Sequence, residues 1–341
     1  MNTMDILSLS LNELTEQLEL LKQPSFRAKQ IFEWLHKKKV QNFSEMSNLP
    51  KRLRLELENV YYIQDLFAEK KQISTDGTEK YLFKLHDGNY IETVVMKYKS
   101  GTSVCISTQV GCRMGCNFCA STQNGLVRNL TTGEMLKQVY FTEREAGSPI
   151  DNIVLMGIGE PLDNFVNVVS FLQIITDENG RNFGQRNISL STCGIVPGID
   201  KLSEYHFGLT LSLSLHAPFD TLRTEMMPIN NSYPLKEVLA ACRRYQKKTG
   251  RRISFEYTVI PGINDSDDCA REIGTVLKGI IAHVNLIPLN HVNEAKFFAG
   301  KEQDLHAFAK KVESTGIEVT VRRKLGEDIS AACGQLRAES I

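Results

Sequence analysis

Three cysteines, Cys112, Cys116 and Cys119, lie close together in the segment GCRMGCNFCAST with a C-x3-C-x2-C spacing. A loop that tight can wrap several thiolates around one metal centre. Structural zinc takes four protein ligands, usually from two knuckles, and no second C-x2-C or paired-histidine motif stands elsewhere in the chain to complete such a site. Three thiolates suit instead an iron-sulfur cluster with one iron left open, and an open iron implies a bound reactant. The three also follow neither helical nor strand periodicity, which argues against incidental core cysteines. Five more cysteines are dispersed. Read by themselves, Cys105 is an alternating strand residue and Cys333 a small buried helix residue after Ala331-Ala332, since free cysteine is commonly buried. Cys193, Cys242 and Cys269 have no partner spacing and read as packing or surface residues.

The elements that must position these thiols follow a rhythm. From residue 101 onward, short β-branched runs at 102–107, 151–156, 187–192, 209–215, 252–260, 282–287 and 317–322 alternate with helical stretches at 133–146, 163–176, 234–248 and 302–314. Repeated βα units of this kind fit a βα barrel, complete or partial. A dinucleotide-binding sheet fits less well, because no G-x-G-x-x-G follows a strand. In such barrels the chemistry sits where strands end, and the cysteine cluster follows the first run. Ahead of the barrel, residues 65–100 alternate polar and apolar around Asp76-Gly77 and Asp87-Gly88, as a short antiparallel extension would. Residues 1–64 read as a small helical module: Ser10 with Glu13 makes a capping box, and Ile31, Trp34 and Leu35 form an apolar stripe.

The averages bound the class. The chain has 341 residues, 42% hydrophobic and 23% charged, so it is neither disordered nor a disulfide-dense miniprotein. No apolar stretch reaches the roughly 18 residues of a membrane span. The start, MNTMDILSLS, lacks the basic n-region of a signal peptide, so no membrane and a cytoplasmic location are expected. The 40 basic and 40 acidic residues give zero net charge. Their distribution is uneven. Residues 22–54 hold Lys22, Arg27, Lys29, Lys37, Lys38, Lys39, Lys51, Arg52 and Arg54 against Glu33 and Glu45, and a second basic run spans Arg243 to Arg252. Both are candidates for neutralising nucleic-acid phosphates, and a solvated lysine-rich face is the plainer alternative.

With Phe118 preceding its last cysteine, the C-x3-C-x2-C motif resembles the signature of the radical S-adenosylmethionine (SAM) superfamily. The segments LMGIGEPLDN (155–164), ISLSTCGIVPGI (188–199), LSLHAP (213–218), MMPIN (226–230), VIPGIND (259–265), VNLIPLN (284–290) and TVRRKLGEDISAACGQL (320–336) are similar to the RlmN/Cfr family of RNA adenine methyltransferases. The resemblance implies an α/β fold: a partial (βα)6-type radical SAM barrel over 101–341, with a β extension over 65–100 and a basic helical RNA-binding accessory domain over 1–64. It implies a 4Fe-4S cluster held by Cys112, Cys116 and Cys119, with SAM chelating the fourth iron.

The implied chemistry adds methyl to an aromatic amidine carbon that has no lone pair with which to attack SAM. One SAM methylates a cysteine; a second, reduced by the cluster, yields a radical that takes hydrogen from that methyl, and the carbon radical adds to adenine. The cofactors carry the difficult step and the protein supplies placement. By the resemblance, Cys333 is the methyl carrier, Cys105 the resolving cysteine that forms a transient disulfide with it, and Glu92 a proton acceptor or base contact. By plain alternation Glu92 fits an exposed strand face equally well. Gly159, Glu160, Ser191, Ser214, Leu215, His216 and Asn290 match SAM contacts, the glycine by letting the methionine end approach and Glu160 by accepting from its ammonium. Each has a turn or cap alternative. Arg128 could contact phosphate or stabilise the loop after the cluster.

The expected substrates are 23S rRNA, with methylation of C2 of one adenine, and tRNA. The expected electron donor is a flavodoxin or ferredoxin, and the expected state is a monomer. Pro161 favours C2 chemistry, since Cfr-type sequences, which methylate C8 and confer antibiotic resistance, tend to carry alanine there. A non-catalytic iron-sulfur RNA-binding protein is the alternative of another class; it leaves Cys333 without a purpose.

Overall fold

The computed structural model describes residues 4–290, 301–336 and 338. The chain opens with β1 (Met4–Asp5), α1 (Leu11–Leu20), α2 (Phe26–His36), α3 (Lys51–Val60) and β2 (Tyr61–Tyr62), which pairs in parallel with β1. The capping box at Ser10 and Glu13 forms: the serine hydroxyl accepts from the Glu13 amide while the Glu13 carboxylate accepts from the Ser10 amide. Ile31, Phe32 and Leu35 of α2 are fully buried, and they join the same continuous core as the strands and helices that follow. Trp34 departs from the expected stripe. It is only partly buried, donates to Asn48 Oδ1 at 2.6 Å and carries Lys38 over its ring at 3.3 Å.

The extension is β3 (Phe67–Ile73), β4 (Glu79–Lys84) and β5 (Tyr90–Tyr98), all antiparallel, with β5 pairing antiparallel to β6 (Gly101–Cys105). It is no separate layer but the continuation of the barrel sheet, and β5 is buried on both faces. After β6, β7 (Gln109–Gly111) and β8 (Leu126–Asn129) form a small hairpin around the cysteine loop. Gly111 takes a positive φ there, because a Cβ would collide with the Gly125 carbonyl.

The rest alternates: α4 (Thr132–Ala146), β9 (Asn152–Leu155), α5 (Phe165–Thr176), β10 (Ile188–Thr192), α6 (Val196–Ser203), β11 (Thr210–Ser214), α7 (Asp220–Met226), α8 (Leu235–Thr249), β12 (Ile253–Val259), α9 (Asp267–Val276), β13 (Ala282–Pro288), α10 (Glu302–Glu313) and β14 (Glu318–Val321). The sheet order is β14-β13-β12-β11-β10-β9-β6-β5-β4-β3, parallel from β6 to β14. Six βα crossovers followed by a last strand make the partial barrel, and among the described residues β14 pairs only with β13.

Period-two patterning explains what this sheet presents. Ile188, Leu190, Leu211, Leu213, Phe255, Val284 and Leu286 are buried in the core under the helices. The alternate positions Ser191, Ser212, Ser214, Glu256 and Asn285 are polar and share the other face by register. A closed barrel would fill that face with branched apolar side chains; an open arc leaves it to line a site. No described helix is long and apolar enough to cross a membrane.

Candidate active site at the strand ends

An open cleft enclosing ≈ 960 Å³ lies at the carboxyl ends of these strands. It is lined by ten residues singled out in the sequence: Cys112, Cys116, Cys119, Gly159, Glu160, Ser191, Ser214, His216, Asn290 and Cys333. They come from six separate stretches of chain, which is what convergence of strand ends produces. Leu215 does not join them. Its side chain is fully buried in the main core, while its amide donates to Glu256 and its carbonyl accepts from Arg223.

The cysteine loop is held from three sides. Cys112 N donates to Gly125 O at 2.9 Å, Asn117 N to Met226 O at 3.0 Å, and Ala120 N to Gly334 O at 2.8 Å. The last bond ties the loop directly to the turn carrying Cys333. Burial pushes Cys112 up to about 12 and raises Cys116 and Cys119 as well. The thiols are therefore protonated in the protein alone, and metal loading must release those protons.

Several assigned residues have second jobs. Gly159 has a φ of +107°, and a Cβ there would meet Gln109 Cβ at 2.6 Å, so packing against β7 requires the glycine, a reason different from ligand approach. Glu160 accepts from Leu162 N at 3.0 Å and from Cys193 N at 2.8 Å, and burial raises its pKa. His216 has a φ of +52°; its Nδ1 accepts from Thr258 N at 2.9 Å and its ring meets Phe118 edge-on at 4.8 Å. Burial lowers its pKa to about 3, so it is neutral with its proton on Nε2. Asn290 donates to Cys333 O at 3.0 Å, and its buried Oδ1 has no partner among the described residues.

A second, smaller cavity adjoins the cleft, and Met156, Asn290, Arg322 and Cys333 line both. Cys105 and Cys333, both free thiols, share this smaller cavity. Burial pushes Cys105 up to about 12, whereas Arg322 is held protonated chiefly by Cys333. Glu92 lies outside both linings. It is 5% exposed, which overturns the exposed-strand alternative; it pairs with Lys80 at 3.0 Å and accepts from Ala338 N at 3.0 Å.

Sequence reading missed Arg223, which is fully buried and donates to the carbonyls of Cys193, Ser214 and Leu215 and to Asn230 Oδ1. It also missed Glu256 in the cleft wall and Arg322, while Cys193, in STCGIVP, does line the cleft. Arg322 follows β14 directly, so the strand-end rule applied to the last run would have found it. Cys242 and Cys269 are core residues, and no described cysteine among the unassigned three lies on the surface. Arg128 resolves to a structural role: both terminal nitrogens reach Glu134 at 2.8 Å and its Nε reaches Asp87 at 2.5 Å.

Among the described residues, no group of three His, Cys, Asp or Glu is gathered tightly enough for a single metal ion. A 4Fe-4S cluster is a larger body that binds each cysteine through a different iron. Three thiols from one loop, a cleft beside them and an orphaned amide oxygen on its wall fit such a cluster with a polar ligand alongside.

Comparison with known proteins decides the family. Residues 106–272 match the radical SAM superfamily, and residues 4–63 match the ribosomal RNA large subunit methyltransferase N-terminal domain. The probable dual-specificity RNA methyltransferase RlmN of Clostridium novyi (strain NT) is 51% identical over 338 residues, covering 99% of this chain and 98% of its own. Its namesake from Alkaliphilus oremlandii (strain OhILAs) is 52% identical over 342 residues, covering 100% and 99%. The chain belongs to the RlmN family. The crystal structure of a radical SAM methyltransferase from Sphaerobacter thermophilus agrees with this fold at a TM-score of 0.94, with 46% identity over 98% of this chain and 100% of that one. RlmN-family membership in the radical SAM superfamily makes the cofactors a 4Fe-4S cluster and SAM.

Proposed function

We infer that this chain is a radical SAM methyltransferase that methylates C2 of one adenine in 23S rRNA and also acts on tRNA, with Cys333 as transient methyl carrier. The observation that carries the reading is the bond from Ala120 N to Gly334 O, which sets the Cys333 turn against the cluster loop inside one cleft. Full-length relatives bearing the RlmN name support the RNA substrate and the C2 position.

When bound, the cluster and SAM supply methyl donation and one-electron hydrogen abstraction. The rest falls to side chains. Cys112, Cys116 and Cys119 hold the cluster. Gly159, Glu160, Ser191, Ser214, His216 and Asn290 surround SAM, with the neutral His216 offering an Nε2 hydrogen to the cleft. Arg322 places a fixed cation beside Cys333, the nucleophile that takes the first methyl. Cys105, kept protonated by burial, waits in the adjoining cavity to resolve the protein-RNA bond. Glu92 takes the proton released when the base is substituted.

The helical module contributes to RNA binding. Lys37, Lys38 and Lys39 line a groove with Lys137, Arg144 and Arg181. Glu143 pairs with Lys39 and Arg181, and Lys137 faces Asp65, so Lys37, Lys38 and Arg144 carry the groove's exposed charge toward phosphates. A small redox protein such as flavodoxin or ferredoxin supplies electrons, and a reducing cytosol restores the Cys105 and Cys333 thiols.

Intact-protein mass spectrometry after expression tests the reading. One methyl increment mapped to Cys333 is expected; an unmodified Cys333 in protein carrying a full cluster would contradict it.

A further inference from the structure

Lys80 is 8% exposed, an unusual burial for a lysine, and both of its contacts concern the residues above. Its ammonium pairs with Glu92 Oε1 at 3.0 Å and donates to Ser330 O at 3.2 Å. Glu92 Oε2 accepts from Ala338 N at 3.0 Å. The two side chains thus grip the C-terminal segment on either side of Cys333. Register explains how. Lys80 on β4 stands opposite Val94 on β5, Glu92 lies two residues from Val94 on the same face, and Val94 in turn stands opposite Cys105 on β6. Lys80, Glu92 and Cys105 therefore share one face of three adjacent strands, and the segment carrying Cys333 covers it.

We propose that Lys80 is a positioning residue for RNA methylation, holding the Glu92 carboxylate fixed relative to Cys333. The proposal rests on the roles given to Cys333 and Glu92 under the proposed function. The ammonium that pairs with the buried carboxylate also fixes its distance from the methyl-bearing turn, because the bond to Ser330 leaves neither partner free to shift alone. Methyl transfer to Cys333 needs no proton acceptor of this kind, so the two halves of the reaction separate the role from mere support of the fold.

The test uses the full chain, reconstituted with its cluster, as wild type, Lys80→Arg, Lys80→Met, Glu92→Gln and the double variant Lys80→Met/Glu92→Gln. Methyl on Cys333 is read by intact mass, methyladenosine in RNA by nucleoside mass spectrometry, and folding by thermal unfolding. Lys80→Met is expected to lower RNA methylation relative to Cys333 methylation on the order of 10²-fold, the loss that a misplacement of about 1 Å brings. Lys80→Arg, which keeps the charge, restores most of it. The double variant, which leaves no buried unpaired charge, unfolds near the wild-type temperature and is no worse in RNA methylation than Glu92→Gln alone. Parallel loss of both methylations in Lys80→Met, an arginine variant as impaired as methionine, or an additive double variant would overturn the proposal. A wild-type chain without methyl on Cys333 overturns the underlying reading, and the proposal with it.

Discussion

Two thiols sharing one small cavity face opposite demands. Cys333 must attack as a thiolate and has the Arg322 cation beside it; Cys105, pushed up to about 12 by burial, stays protonated until the adduct must be resolved. Cys333→Ala is therefore expected to abolish RNA methylation while leaving the cluster's absorption intact, and Cys105→Ala to accumulate a covalent protein-RNA adduct visible on a denaturing gel. A Cys105 variant that turns over normally would remove its resolving role. Arg223 belongs to this scale too. Arg223→Met removes a charged donor from the buried carbonyls of Cys193, Ser214 and Leu215, and the expected loss of stability in urea unfolding is on the order of 3–5 kcal/mol. The sequence pattern located ten of the cleft's residues, yet it did not show that packing also requires glycine at 159, because the clash with Gln109 is a contact across fifty residues. Arg223 was invisible for the same reason. A buried arginine reads as a surface one until its carbonyl partners fold around it.

At the scale of elements, the parallel strands were legible within a residue or two, since β-branched runs bounded by turns leave few alternatives. Helices α6, α7 and α9 were not. The first begins with Val196-Pro197 and carries Gly198, α7 spans seven residues, and neither offers a long apolar period. The basic run from Arg243 to Arg252 shows the opposite failure. Arg244 pairs with Asp200, Lys248 with Glu204 and Arg252 with Glu318, and the run leads into the start of β12, the end of the sheet opposite the cleft. Acids supplied by other elements cannot be counted in a local window. Charge reversal at Lys37 and Lys38 together is therefore expected to weaken RNA binding and to reduce the slope of log affinity against log salt by about 2, whereas reversal at Arg243 leaves it unchanged. Filter binding across a salt series distinguishes them, and equal effects would refute the assignment of the groove.

Zero net charge at the scale of the whole molecule hides a basic stretch over residues 22–54 of a helical module welded to a mixed barrel by one continuous core. The seam has a titratable group. His36 is fully buried, its Nδ1 lies 3.0 Å from the Tyr140 hydroxyl of α4, and burial lowers its pKa to about 3. A histidine depressed in the folded state contributes stability that is present above its unfolded pKa of about 6.5 and is lost as pH falls toward 3. Asp5, raised to about 6 by burial, works against this between pH 6 and 4. His36→Gln is accordingly expected to flatten the fall of Tm on acidification below pH 6.5, and an unchanged pH profile would show that the seam does not titrate. The ten-stranded sheet, the cleft at its strand ends and the Cys333 turn across its mouth all serve one claim: methyl reaches C2 of an adenine in RNA by way of Cys333. The most direct measurement is mass spectrometry of nucleosides from 23S rRNA and tRNA treated with the reduced, reconstituted protein and SAM. The account predicts 2-methyladenosine from wild type and none from Cys333→Ala. Appearance of 8-methyladenosine alone, or of 2-methyladenosine from the Cys333 variant, would contradict it.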